Sequence, residues 1–250
     1  MRESDLASGR RTLAIDIGGS GTKALVLDPH GKPVNKKVRR PTPEEPTPDR
    51  VLAVLDRILD HQPPYDRVAA GFPGVVRNGI TLTAVNLHPE WIGFNLGHAL
   101  RERTGKPARV ANDADVQGMA VISGKGLEMV LTVGTGLGSS LYMDGQLVPN
   151  LEIAHHVFRK NKTYEDCLGN AAFERIGRRK WSRHLRKAVA QLDGAFNYDR
   201  LYIGGGNSRK AASAGLPGNV TFVSNIAGLL GGIYLWDGPR TDSGPPTGAS

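Results

Sequence analysis

The sequence predicts a two-domain α/β protein, and three observations carry that reading. A strand–glycine turn–strand unit occurs twice, at residues 12–28 and again at 128–143. Elsewhere, short β-rich apolar runs alternate with stretches of helical periodicity, as they do in α/β chains. Finally, 250 residues suffice for one good core or two small ones. The repeated unit places one hairpin in each domain. Residues 1–112, completed by a C-terminal helix at 224–236, form the first domain and residues 113–223 the second; a disordered tail is expected at 238–250.

The elements follow in order. Residues 12–28, TLAIDIGGSGTKALVLD, read as strand, glycine turn, strand. His30 to Lys32 turns the chain into a strand at Val34–Arg39. A proline-rich linker, Pro41 to Pro48, precedes a helix that Thr47 can cap and whose apolar face is Val51, Leu52, Leu55, Ile58 and Leu59. Asp66–Gly71 is a buried strand entering the loop Gly71-Phe72-Pro73-Gly74, and a looser stretch with Asn86, His88 and Trp91 comes next. Asn95 to Thr104 is a second helix, with Gly105 past its end. Ala108–Ala111 is a strand running into Asn112-Asp113-Ala114-Asp115 and a helix to about Ile122. After the second hairpin, the basic segment holds a helix with Leu185, Val189 and Leu192 on one side; Leu201–Ile203 is a strand, and Ser224 to Trp236 an apolar final helix.

Composition excludes several classes. Hydrophobic residues make up 39% and charged residues 22%, ordinary globular usage. No apolar run reaches the ~18 residues of a membrane span, and Met1 to Arg11 lacks a signal-peptide core. The single cysteine, Cys167, excludes an internal disulfide and a multi-cysteine zinc site. A cytoplasmic protein with no membrane partner is expected. The net charge is +8, from 32 Lys and Arg against 24 Asp and Glu. Between Arg159 and Lys187 stand ten basic residues against three acids, nearly the whole imbalance. Such a segment attracts polyanions, though a solvated helix face or a nucleic-acid patch reads the same way.

The chemistry-bearing residues cluster at the turns. In Asp16-Ile17-Gly18-Gly19-Ser20-Gly21-Thr22-Lys23, glycines let backbone N–H groups approach phosphate oxygens. Asp16 could hold Mg²⁺ through water, and Thr22 and Lys23 offer a hydroxyl and a cation. Alone, the segment reads equally well as a glycine hairpin without a ligand. It lacks P-loop spacing, and a strand rather than a helix follows it. Thr135 and Gly136, in Gly134-Thr135-Gly136-Leu137-Gly138-Ser139, form a second candidate phosphate loop. Gly204-Gly205-Gly206-Asn207 could pack beneath an adenosine ring or simply turn a strand into a helix. Asp113, after a buried strand and at a helix start, is the candidate general base, with Asn112 beside it; capping by Asp113 or Asp115 is the competing reading. Glu152 and His155, three apart, could bind adjacent sugar hydroxyls or form a surface turn; a metal would lack a third ligand.

The ordered set Asp-Ile-Gly-Gly-Ser-Gly-Thr-Lys, Gly-Phe-Pro-Gly, Val-Ala-Asn-Asp-Ala, Thr-Val-Gly-Thr-Gly-Leu-Gly and Ile-Gly-Gly-Gly, spread over residues 12–236, resembles the ROK sugar kinases. That resemblance implies an actin-like ATPase (ribonuclease H-like) fold of the hexokinase, Hsp70 and actin superfamily. The stretch from Leu151 through Trp181, and Phe196-Asn197-Tyr198-Asp199 beyond it, look most like the family's polyphosphate-using glucokinase branch. By resemblance, Asp113 takes the proton of the glucose 6-hydroxyl. Asn112, Glu152, His155 and Glu165 bind glucose, with Asn86 and the Gly74 backbone nearby. Asp16, Gly18, Gly19, Gly21, Thr22, Lys23, Thr135, Gly136, Gly204, Gly205 and Gly206 serve Mg²⁺, phosphate and nucleotide. A polyphosphate track would use Arg159, Lys160, Lys162, Arg178, Arg179 and Lys180, with ATP as a further donor and a homodimer as the assembly. An ATP-only hexokinase relative of broader sugar range is the alternative. Only eleven residues precede Thr12, so a DNA-binding repressor of the family, and nucleic acid as a partner, are not expected. Two departures stand out. The family's zinc site needs three cysteines, so zinc is not expected; and Ala154 stands where the family has glycine, at a cost of roughly 1 kcal/mol if that position needs positive φ.

Overall fold

The computed structural model describes residues 9–84, 87–208, 215–223 and 228–238. The chain divides into two compact units, the first made of residues to Ala120 with the C-terminal stretch to Gly238, the second beginning at Val121.

In unit 1 the strands are β1 (Thr12–Gly18), β2 (Gly21–Leu27), β3 (Val38–Arg40), β4 (Arg67–Phe72), β5 (Val76–Arg77), β6 (Ile80–Thr81) and β7 (Ala108–Asn112). The main sheet has the order β3-β2-β1-β4-β7. β1, β2 and β3 run antiparallel in succession, whereas β4 lies parallel to β1 and β7 parallel to β4. β1 and β4 are apolar on both faces and almost wholly buried, as strands covered on both sides must be. Helix α1 (Pro48–Leu59) lays Val51, Leu52, Leu55 and Ile58 into this core, which also takes Trp91, Phe72 and Leu96. Helix α2 (Leu96–Thr104) starts where the Asn95 side chain accepts from His98 N at 2.9 Å and stops at Gly105, whose φ is 63°. Helix α3 (Asp113–Met119) leaves β7 directly.

Unit 2 contains β8 (Leu127–Val133), β9 (Leu137–Met143), β10 (Gln146–Val148), β11 (Val157–Arg159), β12 (Lys162–Thr163), helices α4 (Tyr164–Leu168) and α5 (Asn170–Phe196), and strands β13 (Arg200–Gly204) and β14 (Val220–Phe222). Its sheet runs β10-β9-β8-β13-β14, with β8, β9 and β10 antiparallel and β13 and β14 parallel to β8. That is the order of unit 1 repeated. Trp181, Leu185, Val189 and Leu192 of α5 pack on Met129, Leu131, Leu201 and Ile203 of the sheet.

The chain then returns to unit 1 through a 3₁₀ turn, Leu230–Ile233, and the short α6 (Tyr234–Asp237). Glycines suit this turn: a Cβ on Gly231 would strike the Val116 carbonyl, and one on Gly232 would stand a tight 3.2 Å from the Cβ atoms of Ala14 and Ala69. Arg67 closes the junction by donating from two nitrogens to the Asp237 carboxylate at 2.7 and 2.5 Å. Among the described residues no helix is long and apolar enough to cross a membrane.

Several expectations are corrected. The unit boundary follows Ala120 rather than residue 112, because α3 packs on β4, β7 and the C-terminal turn. No strand spans 34–37: the Asn35 side chain accepts from Val26 N at 2.8 Å in place of a ladder bond, and β3 begins only at Val38. Thr47 precedes α1 but makes no capping hydrogen bond. α3 ends at Met119, short of Ile122. The final helix shrinks to α6 and its 3₁₀ turn; residues 224–227, Asn86 and the expected tail beyond Gly238 lie outside the described residues.

Candidate functional site

In unit 1 the sequence-derived residues gather at the C-terminal ends of the parallel strands, where open α/β sheets bind ligands. Register aligns Asp16 of β1 with Gly71 of β4, and Gly71 with Ala111 of β7. Gly71 and Asp113 approach closely: a Cβ on Gly71 would lie a tight 3.3 Å from the Cα of Asp113. Asp113 opens α3, and its Oδ1 accepts from Ala114 N at 2.8 Å. The capping residue is Asn112, not Asp113 or Asp115. Its Oδ1 accepts from Ala114 N at 2.8 Å and Asp115 N at 3.3 Å, while its Nδ2 donates to the Gly74 carbonyl at 3.2 Å. Asn112 therefore ties the Gly71–Gly74 loop to the helix that carries the candidate base. Gly74 itself is packed so closely that a Cβ would meet the Thr83 carbonyl at 2.5 Å.

The glycine turn Gly18–Gly21 joins β1 to β2, and across it Lys23 Nζ sits 2.9 Å from Asp16 Oδ2. Asp16 Oδ1 keeps no partner among the described residues, so one carboxylate oxygen is left to take a hydrated cation. Mg²⁺ retains several waters and needs only one or two carboxylates beside phosphate oxygens, so this donor set fits it. No cluster of three or more His, Cys, Asp or Glu side chains that could hold a metal occurs among the described residues.

In unit 2 the corresponding end of the sheet carries the second glycine turn. Glu165 Oε2 accepts from Leu137 N at 2.9 Å and would stand only 2.5 Å from a Cβ on Gly136. The residue expected to bind sugar is thus seated on the Thr135–Gly136 loop. Asn207, beyond the glycine triplet, is buried and donates to the Gly134 carbonyl at 3.3 Å and to Asn170 Oδ1 at 3.2 Å; Asn170 N in turn donates to Gly134 O at 3.0 Å. Gly205 has φ 91°, and a Cβ there would lie 2.5 Å from the Val133 carbonyl, so Gly205 is pressed onto the end of β8. Asn170 was not read as a site residue; the signal available was a Gly-Asn pair opening an amphipathic helix.

Glu152 precedes the 3₁₀ turn Ile153–His155, with its carboxylate 3.9 Å from His155 Nε2. Burial raises the Glu152 pKa, and the His155 charge opposes that rise. Ala154 lies inside this turn and is not among the positive-φ residues, so the alanine carries no backbone strain.

The basic segment is not one helix. Arg159 and Lys162 flank a two-residue turn in which Lys160 (φ 45°) and Asn161 (φ 58°) are both left-handed, the geometry of a tight hairpin. Arg178, Arg179 and Lys180 are exposed on α5, just past its interruption at Gly177 (φ 73°, ψ 163°). Arg159 Nη1 lies 2.7 Å from His184 Nε2, and His184 Nδ1 is 3.4 Å from the Cys167 carbonyl, so neutral His184 donates from Nδ1 and accepts at Nε2. Burial holds the His184 pKa below its ordinary value, and Arg159, Arg183 and Lys187 add to the effect against the Cys167 hydrogen bond.

The model of the ROK family matches residues 12–156. A polyphosphate glucokinase of Mycobacterium tuberculosis (strain CDC 1551 / Oshkosh) is 31% identical over 212 residues, covering 81% of this chain and 80% of its own. The crystal structure of an inorganic polyphosphate/ATP-glucomannokinase from Arthrobacter sp. strain KM superposes with a TM-score of 0.79 at 29% identity, covering 90% of this chain and 98% of that one. A ROK family glucokinase from Streptomyces griseus, solved with glucose and AMPPNP, gives 0.71 at 18% identity over 90% of this chain and 98% of its own; that likeness shows the fold alone.

Proposed function

The chain belongs to the ROK family, and from that membership we propose that it is a sugar kinase, a glucokinase that moves the terminal phosphoryl group of inorganic polyphosphate, and of ATP, onto the 6-hydroxyl of glucose. The observation that carries this reading is the placement of Asp113. It follows β7 directly and opens α3, its Oδ1 accepting from Ala114 N at 2.8 Å, beside Asn112, which bears the helix cap. The names of the Mycobacterium and Arthrobacter relatives support polyphosphate as donor.

In this reading the 6-hydroxyl oxygen attacks the terminal phosphorus. Its proton passes to the Asp113 carboxylate, one P–O bond forms, and the anhydride bond to the next phosphate breaks, leaving a donor shorter by one phosphate. Asn112, Asn86, Gly74, Glu152, His155 and Glu165 are the sugar-binding residues. Lys23 and the glycine turns around Gly19, Thr22, Thr135 and Gly205 hold phosphate oxygens by N–H groups and charge. Asp16 would hold Mg²⁺, which when bound neutralises the charge of the transferring group. Arg159, Lys160, Lys162, Arg178, Arg179 and Lys180 form a cationic track for the donor chain. Each sheet, with three antiparallel strands followed by two parallel ones, is read as a ribonuclease H-like sheet of the actin-like ATPase class.

The glucomannokinase name of the Arthrobacter relative favours mannose as a second acceptor. The test is a coupled assay of hexose 6-phosphate formation with each donor and each sugar. Product from glucose with both donors is expected. Product from ATP alone would leave an ATP-only hexokinase, and product from neither would overturn the kinase reading.

A further inference from the structure

Between Asp28 and Glu44 the chain carries five lysines and arginines and no acid. Four of them, Lys36, Lys37, Arg39 and Arg40, fall on β3 and the two residues before it, at the edge of the unit 1 sheet. All four are exposed, and none forms an ion pair among the described residues. Charged side chains on an edge strand guard against strand-to-strand aggregation, and that alone would account for cations pointing into water. Arg39 does something else. Its Nη2 donates to the Ser20 carbonyl at 3.0 Å, inside the glycine turn Gly18–Gly21. Its Nη2, Cζ and Nε stand 2.8, 2.9 and 2.9 Å from where a Cβ of Gly21 would be, so the guanidinium lies flat over that glycine.

Gly21 is not in the positive-φ region, and a side chain there would have to displace the Arg39 guanidinium, the movable end of an exposed side chain. Register puts Arg39 opposite Lys23 and Lys23 opposite Asp16, a row of three cross-strand neighbours on one face of the sheet. Two residues beyond β3, Thr42 Oγ1 donates to the Gly18 carbonyl at 2.6 Å and pins the same segment to the turn a second time. The run of charge is thus sewn onto the loop read as the phosphate loop, and a guanidinium with one N–H committed keeps four more for phosphate oxygens.

We propose that Lys36, Lys37, Arg39 and Arg40 are a binding strip for a linear inorganic polyphosphate, with Arg39 joining the strip to the glycine turn. The strip rests on the polyphosphate reading of the donor. Its residues are not those of the track already named: they belong to unit 1 and hydrogen-bond to the first glycine turn. A chain with about one negative charge per phosphate recognises a row of cations by charge density and needs no shaped pocket. Lys36, Lys37 and Arg40 then contribute in proportion to donor length, whereas Arg39 acts on every donor that reaches the turn.

The test uses the full-length protein and two variants, Lys36→Gln/Lys37→Gln/Arg40→Gln and Arg39→Gln, with melting temperatures checked against wild type. Binding of long-chain polyphosphate, of tripolyphosphate and of an oligothymidylate of matched charge is measured by titration calorimetry over a range of salt. Polyphosphate-dependent KM values are measured in parallel. The triple variant is expected to weaken long-chain binding about tenfold or more and to lower the slope of log K against log salt by about two, while tripolyphosphate binding changes less than about twofold. Arg39→Gln is expected to weaken both. If wild type uses polyphosphate while the triple variant keeps its affinity and salt slope, the strip is refuted and the donor reading stands. If wild type neither binds nor uses polyphosphate, both fall. Oligothymidylate binding as tight as polyphosphate binding, and equally lost in the variants, would make the strip a nucleic-acid surface and overturn the proposal.

Discussion

The sharpest prediction separates two adjacent residues, Asn112 and Asp113. In Asp113→Asn the new amide oxygen can keep the 2.8 Å bond that Oδ1 accepts from Ala114 N. What is lost for stability is a negative charge in the first turn of α3, about 0.3–1 kcal/mol. At two to four degrees per kcal/mol for a chain of this size, the melting temperature should fall by no more than about 4 °C. The chemical step loses its proton acceptor, which is worth about 10²–10⁴-fold in turnover, or about 3–5 kcal/mol of barrier. Asn112→Ala adds a loss of stability to the loss of a sugar contact. It removes a cap worth about 1 kcal/mol and the 3.2 Å bond to the Gly74 carbonyl, worth about as much again. Thermal melts and steady-state kinetics on both variants decide the matter. Turnover of Asp113→Asn within tenfold of wild type, or a melting loss as large as that of Asn112→Ala, would refute the division of labour.

Three further outcomes are expected. Gly177→Ala should destabilise the chain by about 1–3 kcal/mol, because φ 73° with ψ 163° is open only to glycine even though nothing lies within 4 Å of the missing Cβ. A rise in urea midpoint, as helix propensity alone would give, would count against the interruption. Because burial and neighbouring cations depress the His184 pKa, the unfolded chain takes up the proton first as pH falls. Stability should be full above about pH 6.5 and decline below it, and His184→Gln should flatten that part of the urea-midpoint profile; an unchanged profile would sink the assignment. Charge reversal at Arg178, Arg179 and Lys180 should weaken polyphosphate use more than ATP use, and equal losses in kcat/KM would argue against the α5 track.

How far the fold could be read depended on whether an element is shaped by its own residues or by remote ones. The two glycine hairpins were legible because β1 and β8 are mostly apolar runs followed by glycine, a local pattern that burial on both faces imposes. The C-terminal helix was not, because Gly231 and Gly232 answer to Val116, Ala14 and Ala69, more than a hundred residues away. The expected strand at Val34 failed for a similar cause: Asn35 hydrogen-bonds Val26 and Gln62, partners no window around Asn35 reveals. Gly177 sat in plain view, but the apolar positions that mark the helix, Leu185, Val189 and Leu192, all lie beyond it and do not show that the helix starts earlier and is interrupted there.

The candidate site divides along the same line. Asp16 and Asp113 could be chosen from sequence because each ends an apolar strand, and the end of a parallel strand is where a side chain is both fixed and accessible. Which of Asn112, Asp113 and Asp115 caps α3 could not, since all three are good capping residues. The choice falls to Asn112 because β7 pairs through it, Phe72 opposite Asn112, and that pairing fixes extended backbone at the one position from which a side chain can reach back to the N–H groups of Ala114 and Asp115. A sheet register, set by strands forty residues apart, thereby decides which of the three side chains caps α3. The same reasoning applies to Arg39: its charge was visible, but only the pairing of β2 with β3 puts it opposite Lys23 and over Gly21, where a cation becomes part of a loop.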